Sequence, residues 1–414
     1  MPALQPVRGT QDLLPDEQRR HRAVVEAARA VAERYGYQEL ATPIFEFTEV
    51  FARPIGETSD IVTKEMYSFA DRGGEEITLR PEYTAGIVRA VISNGLTQHL
   101  PLKFFASGPM FRYERPQKGR FRQFHQIDVE LIGVAQPDGD VEVLALGAHI
   151  LAELGVLDRT VLELNTLGDA ASRRAYRDAL VAYYDRHRAA LSPDSLTRLE
   201  RNPLRILDSK DEGDKRVSAG APSFADYLTD DARRFFDQVR SGLDLLGIGY
   251  RISPRLVRGL DYYCHTAFEF ITTDLGAQGT VLGGGRYDGL MGVLGGPETP
   301  GVGWAAGIER LALLIAAPQA AARPIAVVPI GEKGDAPALK LAYELRRDGY
   351  VVDLAYSGNV AKRMKRANKA GARAAVILGE DELQRSAVTV RDLDTGEQIE
   401  VPLAALKDRL APFR

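Results

Sequence analysis

The chain has 414 residues, 45% hydrophobic and 27% charged, a size and balance that suit two or three globular domains. A net charge of -4 excludes nucleic-acid binding by bulk charge, so any such contact has to come from a local patch. The one cysteine, Cys264, excludes an internal disulfide and points to a reducing compartment, and the six histidines show no metal-ligand spacing.

The first residues, "MPALQPVRGTQDLLPDEQRR", are charged and carry no apolar leader. No apolar run approaches the roughly 20 residues of a membrane span. The expectation is a cytoplasmic protein without membrane contact. Pro15 opens a predicted helix whose apolar positions, Val24, Val25, Ala28, Val31, Ala32 and Tyr35, recur at helical spacing until Gly36. Strand-like segments follow around Pro43. "EMYSFADRGGEEITLRPE" predicts two strands joined at Gly73-Gly74, and a helix runs from Thr84 to about Asn94. "LKFFASGPMFRYE" and "RQFHQIDVELIGV" predict a hairpin whose loop holds "RPQKGR". Residues 170–250 turn helical and strongly charged, which suggests an inserted subdomain.

Strands return at "RISPRLVRGLDYYCHTAFEFIT". "TVLGGGRYDGL" reads as a glycine turn, and "GVGWAAGIERLALLIAA" as a strand entering an apolar helix. A boundary near "APQAAARP" places one domain at 1–322 and a second at 323–414. In the second, "IAVVPIG", "VVDLAY" and "RAAVILG" alternate with helices and a hairpin turns at Asp394-Thr395-Gly396, the pattern of a small α/β domain.

The hairpin loop concentrates charge. Arg112, Arg115, Lys118, Arg120 and Arg122 face only Glu114. Taken alone, such a cluster is usually a solvated loop. Three features favour an anion site. Arginines outnumber lysines and offer forked donors that match phosphate oxygens. Arg112 and Arg122 lie in the strand-like flanks, where a side chain is held. Gln126 and Glu130 continue the second strand on one face. The glycine runs 282–290 and 301–311 lack the Gly-Lys-Ser/Thr of a phosphate loop and open no βαβ unit, so they read as turns or close backbone approaches. Each is followed by an arginine, Arg286 and Arg310. Arg310 stands either at a helix surface or on one side of a cleft. Thr84 reads most simply as a helix N-cap, and Cys264 has no partner arrangement that would make it a nucleophile.

These segments resemble the class II aminoacyl-tRNA synthetases. The helix and the strand at Pro43 resemble motif 1, "FRYERPQKGRFRQF" motif 2 and "GVGWAAGIERLALL" motif 3. "RGLDYYCHTAFEF" and "GGGRYDGL" resemble the two peptides peculiar to histidyl-tRNA synthetases. "ETSDIVTKEMYSFADRGGEEITLRPE" and "NPLRILDSK" agree with them. The resemblance covers essentially the whole chain. It departs at Tyr83, where glycine is more frequent, and at Cys264-His265, where an Asn-Arg pair is common. Both departures bear on the histidine pocket.

The resemblance implies an α+β fold: a class II core of antiparallel sheet flanked by helices, a helical insertion and a C-terminal α/β anticodon-binding domain. It implies a histidine–tRNA ligase that activates L-histidine with ATP and Mg2+ and charges tRNA(His), working as a homodimer. Arg112 would contact the α-phosphate and the histidine carboxylate, with Arg258 as the second catalytic cation. Arg120 and Arg310 would hold the β- and γ-phosphates. Glu82, Thr84 and Gln126 would bind the α-ammonium, Glu130 and Tyr263 the imidazole, and Tyr83, Tyr262 and Tyr287 would complete the pocket. Arg115 and Gln117 would face the tRNA acceptor end. Lys362, Lys365 and Arg366 would position RNA backbone in the second domain. No protein cluster for a metal is expected. Two rivals remain: a non-catalytic, synthetase-like regulatory subunit of ATP phosphoribosyltransferase, and an ATP-dependent amide ligase on the same core.

Overall fold

The computed structural model describes residues 3–414 except 57, 58, 60, 208, 258, 259, 261 and 319, with the side chain of Ala277 also outside the description. The chain forms two compact units, residues 1–318 and 319–414.

The first unit is built on an eight-stranded sheet and a small three-stranded one. In chain order the strands are β1 (Gln38–Glu39), β2 (Phe45–Phe47), β3 (Tyr67–Ala70), β4 (Glu76–Leu79), β5 (Leu102–Phe111), β6 (Gln123–Ile132), β7 (Val161–Thr166), β8 (Tyr250–Ile252), β9 (Cys264–Ile271), β10 (Thr280–Arg286) and β11 (Gly301–Gly307). The large sheet runs β1-β5-β6-β11-β10-β9-β7-β8, and β2-β4-β3 form the small one. The large sheet is antiparallel except at its ends, where β1 pairs with β5 and β8 with β7 in parallel.

Side-chain alternation divides the large sheet into two faces. Ile127, Val129 and Leu131 of β6 join Phe268, Phe270, Val302 and Trp304 in the main core. The helices Pro15–Arg34, Pro137–Glu153 and Asp230–Leu245 cover that face with Val24, Ala28, Val31, Leu144, Ile150, Val239 and Leu243. Trp304 donates its indole N–H to the Val143 carbonyl at 3.0 Å, which satisfies the one polar atom this ring brings into the core. The opposite face of β6 presents Gln126, Asp128 and Glu130.

Three sequence expectations change here. "TVLGGGR" is strand β10 and not a turn. Its glycines serve close approach: a Cβ on Gly284 would overlap the Gly303 carbonyl and the Trp304 backbone. The strand expected over 255–270 begins only at Cys264. Tyr83, not Thr84, occupies the N-cap position of the helix Thr84–Ser93, and no side chain caps it from there.

Within 170–250 lie the helices Ala170–Asp185, Pro193–Arg201 and Glu212–Ser218, with a separate core of Tyr176, Leu180, Tyr184, Leu199 and Ile206. The last helix of the segment, Asp230–Leu245, packs into the main core through Val239 and Leu243.

The second unit holds β12 (Ile325–Pro329), β13 (Val352–Leu354), β14 (Ala374–Leu378), β15 (Ala387–Asp392) and β16 (Gln398–Pro402) in the order β13-β12-β14-β15-β16. The first three are parallel and the last two form the hairpin. The helix Val360–Lys369 buries Ala367 and packs Val360 and Met364 beside it, and leaves Lys362, Lys365 and Arg366 exposed. Among the described residues no helix is long and apolar enough to cross a membrane.

Candidate active site

The open face of the large sheet carries a cavity of about 400 Å³, lined at one end by Glu82, Thr84, Gln126, Asp128, Tyr262 and Tyr263 and at the other by Arg120, Arg310, Glu114, Glu269 and Thr280, with Arg112 also in the lining. Register explains the room. On β11, Gly307 stands opposite Gln126, Ala305 opposite Asp128 and Gly303 opposite Glu130. On β5, Gly108 and Ala106 flank Gln126 and Asp128. A Cβ at Gly303 would collide with the Glu130 carboxylate.

The acidic end is deeply buried. Glu82 accepts from the Ala85 backbone N–H at 2.9 Å through one oxygen and so ties itself to the start of its helix. Its other oxygen has no partner among the described residues, nor have Gln126 Oε1, Glu130 Oε1 and both oxygens of Asp128. Burial raises the Glu82 carboxyl, opposed by hydrogen bonds from Ala85 and Thr84. Burial also pushes Glu130 up to about 8. Glu130 is fully buried behind the cavity lining, and the Tyr287 hydroxyl donates to its second oxygen.

Tyr287 thus orients Glu130 and does not itself line the cavity. Tyr83 is also outside the lining, contrary to the expectation that it forms part of the pocket. Its ring lies under the Arg80 guanidinium at 4.2 Å, and its hydroxyl occupies the space over Gly108. Consecutive residues at a helix start point in different directions, so Glu82 and Thr84 face the cavity while Tyr83 does not. Cys264 and His265 are likewise absent from the lining. The thiol is buried and pushed up to about 12, chiefly by burial, so it stays protonated. His265 has φ of 41° and its ring packs on Phe235 at 4.6 Å.

The cationic end is partly tied down. Arg112 donates from Nε to the Pro81 carbonyl at 2.9 Å and lies over Phe124. The Arg112 backbone N–H bonds the Arg122 carbonyl at 2.9 Å, which extends the β5–β6 ladder into the loop. Arg120 is paired with Glu114. Arg310 donates to the Thr280 carbonyl at 2.6 Å and to Gln278 Oε1 at 2.7 Å. Burial lowers its pKa, with Glu114 acting in the other direction. Arg115 and Gln117 lie exposed on the loop, outside the cavity. Arg258 and Asp261 lie outside the described residues.

The two arginines after the glycine runs separate completely. Arg286 is fully buried and donates to Asp140 at 3.0 Å, Asp288 at 3.0 Å and the Val134 carbonyl at 2.9 Å. It joins β10 to the helix Pro137–Glu153 and has no access to the cavity. Arg310 alone of the pair lines the cavity.

Several lining residues had no part in the sequence reading of the pocket, among them Asp128, Lys210 and Glu309. Asp128 was legible, since it lies two residues from both Gln126 and Glu130 on one strand face. Lys210 comes from "LDSK" in the inserted segment, with no local signal that it would reach the site. Glu309, beside Arg310, meets His125 and His21. The ligand-type atoms of these three lie within 4.8 Å of one another, a cluster that histidine spacing could not reveal because it joins three distant segments.

The chain is similar to known proteins along its whole length. The family model described as histidyl-tRNA synthetase matches residues 9–311, and an anticodon-binding domain model matches 324–411. Histidine–tRNA ligase of Rhodospirillum rubrum is 63% identical over 414 residues, all of both chains. That of Gluconacetobacter diazotrophicus is 58% identical over 99% of each. The solved structure of apo S. aureus histidyl-tRNA synthetase superposes with a TM-score of 0.82 at 36% identity, covering 98% of this chain and 99% of that one. These matches run through both units and leave one conclusion: the chain belongs to the histidyl-tRNA synthetase family of aminoacyl-tRNA ligases.

Proposed function

We propose that the cavity performs the histidine–tRNA ligase reaction of this family, with L-histidine against the acidic end and ATP against the arginines. One observation carries the assignment of ends: buried hydrogen-bond acceptors converge at one end and guanidinium groups at the other. An α-ammonium and an imidazole N–H supply donors. A triphosphate supplies acceptors.

Attack of the histidine carboxylate on the α-phosphorus brings two anions together. Arg112, fixed by its bond to Pro81, neutralises that charge without reorganising. The carboxylate oxygen bonds to phosphorus, diphosphate leaves, and histidyl-adenylate forms. A hydroxyl at the 3′ end of tRNA(His) then attacks the carbonyl carbon and AMP leaves. Arg120 and Arg310 hold the β- and γ-phosphates, and Arg120 exchanges Glu114 for phosphate as ATP enters. ATP arrives as its Mg2+ complex, and Glu114 and Glu269 are carboxylates able to approach that ion. Arg258 is retained, by its position in "RGLDYYCHT", as the second cation on the α-phosphate.

Glu130 accepts from one imidazole nitrogen while Tyr263, an amphoteric hydroxyl, serves the other. Glu82, Thr84 and Gln126 receive the α-ammonium, and Tyr262 forms a wall. An apolar amino acid would leave these groups unpaired, so discrimination on the order of 10⁴ needs no editing site. Exposed Arg115 and Gln117 meet the acceptor end of tRNA. In the second unit exposed Lys362 and Lys365 position RNA backbone, with Arg366 released from Asp353, which it pairs with at 3.1 Å.

The protein works as a cytoplasmic homodimer. Ile44, Phe45, Phe47 and Phe69, between 44% and 57% exposed, form an apolar surface on and beside the small sheet that a two-fold partner would cover. The deciding experiment is histidine-dependent ATP–diphosphate exchange, with tRNA(His) charging measured in parallel. Exchange and charging together are expected. Absence of both would favour the regulatory-subunit reading, and exchange without charging the amide-ligase one.

A further inference from the structure

We propose that Asp128 is a further acceptor for the α-ammonium of the substrate, beside Glu82, Thr84 and Gln126, and thereby sets the site's demand for a free α-amino group. This rests on histidine occupying the acidic end of the cavity. Asp128 is 1% exposed yet lines the cavity, and neither of its oxygens has a hydrogen-bond partner among the described residues. A buried carboxyl group in that state carries a desolvation cost that no hydrogen bond offsets until a donor arrives.

Its place on β6 selects the donor. Gln126, Asp128 and Glu130 share one face, and Ala106 and Ala305, opposite Asp128 on the neighbouring strands, leave the space above it open. Glu130 lies deeper, outside the lining, and suits the ring. Asp128 stands next to Gln126, nearer the opening, and suits the head of the amino acid. The unpartnered acceptors then divide naturally. Glu130 Oε1 takes an imidazole N–H. Glu82 Oε2, Gln126 Oε1 and Asp128 offer unpartnered acceptors to the N–H bonds of an ammonium, while the Thr84 hydroxyl, already hydrogen-bonded to Glu82, stands beside them.

A purely structural role, as counter-charge to a neighbouring arginine, fits less well. Arg80 directs Nη1 to the Thr42 carbonyl at 2.8 Å and Nε to the Pro109 carbonyl at 2.9 Å, and Arg112 directs Nε to Pro81. Neither bonds Asp128. Burial, reinforced by Glu130 and Glu82, holds the Asp128 carboxyl well above the usual range, and an arriving ammonium opposes that shift.

The test uses Asp128→Asn with three ligands: histidine, histidinol, which keeps the ammonium and lacks the carboxylate, and imidazolepropionic acid, which lacks the ammonium. Binding to the full-length protein is read by calorimetry, or for the two analogues by inhibition of diphosphate exchange. Histidine and histidinol should weaken about 10- to 100-fold, the scale of a charge-assisted hydrogen bond. Imidazolepropionic acid should change less than about 3-fold. An equal loss for all three ligands, or no loss for any, overturns the proposal. Asp128→Ser is the second variant and is judged by the same ratio. Failure of both variants to fold would assign Asp128 to the scaffold and overturn the proposal as well. Glu130→Gln is the control for the underlying reading, because all three ligands carry the ring. If it weakens none of them, histidine does not occupy this cavity, and the error lies in the site and not in Asp128.

Discussion

Glu309 accepts from the backbone N–H of His125 with both carboxylate oxygens, at 2.9 and 3.0 Å, and from the same residue's ring at 2.8 Å. This contact ties the helix Ile308–Leu314 to β6. The next residue on that helix is Arg310, so the tie fixes where a phosphate-binding guanidinium stands relative to the strand that reads histidine. His21 packs edge-on against His125 with ring centroids 5.5 Å apart, and burial lowers its pKa, which keeps that imidazole neutral.

Glu309→Ala should therefore act at a distance. It leaves the His125 N–H without its acceptor, at a cost of roughly 1–3 kcal/mol. It should also raise the ATP KM several-fold while the histidine KM changes little, because Arg310 loses its support. Thermal unfolding and diphosphate exchange check the two effects. A stability loss with unchanged ATP KM would make the contact a simple staple.

Arg286 and Arg310 predict opposite phenotypes from one substitution. Arg286→Met leaves Asp140 buried and uncompensated, which typically costs about 3–5 kcal/mol. Whatever folds should keep normal KM values. Arg310→Met should cost much less stability and raise the ATP KM at least about 10-fold. Denaturant unfolding beside steady-state exchange distinguishes them, and a raised ATP KM in the Arg286 variant would contradict the burial argument.

Glu130 links stability to pH. Its carboxyl is pushed up to about 8 from an ordinary 4.5, chiefly by burial. Between those values the folded protein keeps a proton that the unfolded chain releases, so the contribution of Glu130 to stability falls as pH rises from about 4.5 to about 8. Glu130→Gln removes this term. The variant should match wild type near pH 5 and exceed it by on the order of 1–3 kcal/mol at pH 8.5, measured without substrate. Its histidine KM should rise about 10- to 100-fold with the ATP KM little altered. A stability gap independent of pH would mean that Glu130 is already ionised in the free protein.

Ending the chain at residue 318 should leave adenylate formation nearly intact, because the described residues that line the cavity all lie at or before Arg310. Charging of tRNA should fall far more than exchange. Equal losses in the two assays would show that the second unit supports the first structurally.

Local pattern was enough for much of this protein. The β5–β6 hairpin, the helix after Leu79, the strand–helix passage at Gly307 and the strand–helix alternation of the second unit follow from periodicities of two and 3.6 and from the residues that end them. The polar face of β6 was legible for the same reason, through Gln126 and Glu130. What no window of sequence contains is which distant segment meets which. Arg286 and Arg310 each follow a glycine run, yet one is sealed against Asp140 and the other lines the cavity, because β10 and β11 are antiparallel and run to opposite ends of the sheet. The glycines of β10 look like a turn until β11 lies against them. Tyr83 looks like part of the pocket until Gly108 of β5 leaves room for its hydroxyl. His21, His125 and Glu309 meet only because a helix, a strand and another helix converge. Short-range sterics and hydrophobic alternation determine the elements, while the chemistry of the site also depends on pairings between distant segments, such as His125 with Glu309 and Glu130 with Tyr287, whose geometry exists only once the sheet has closed.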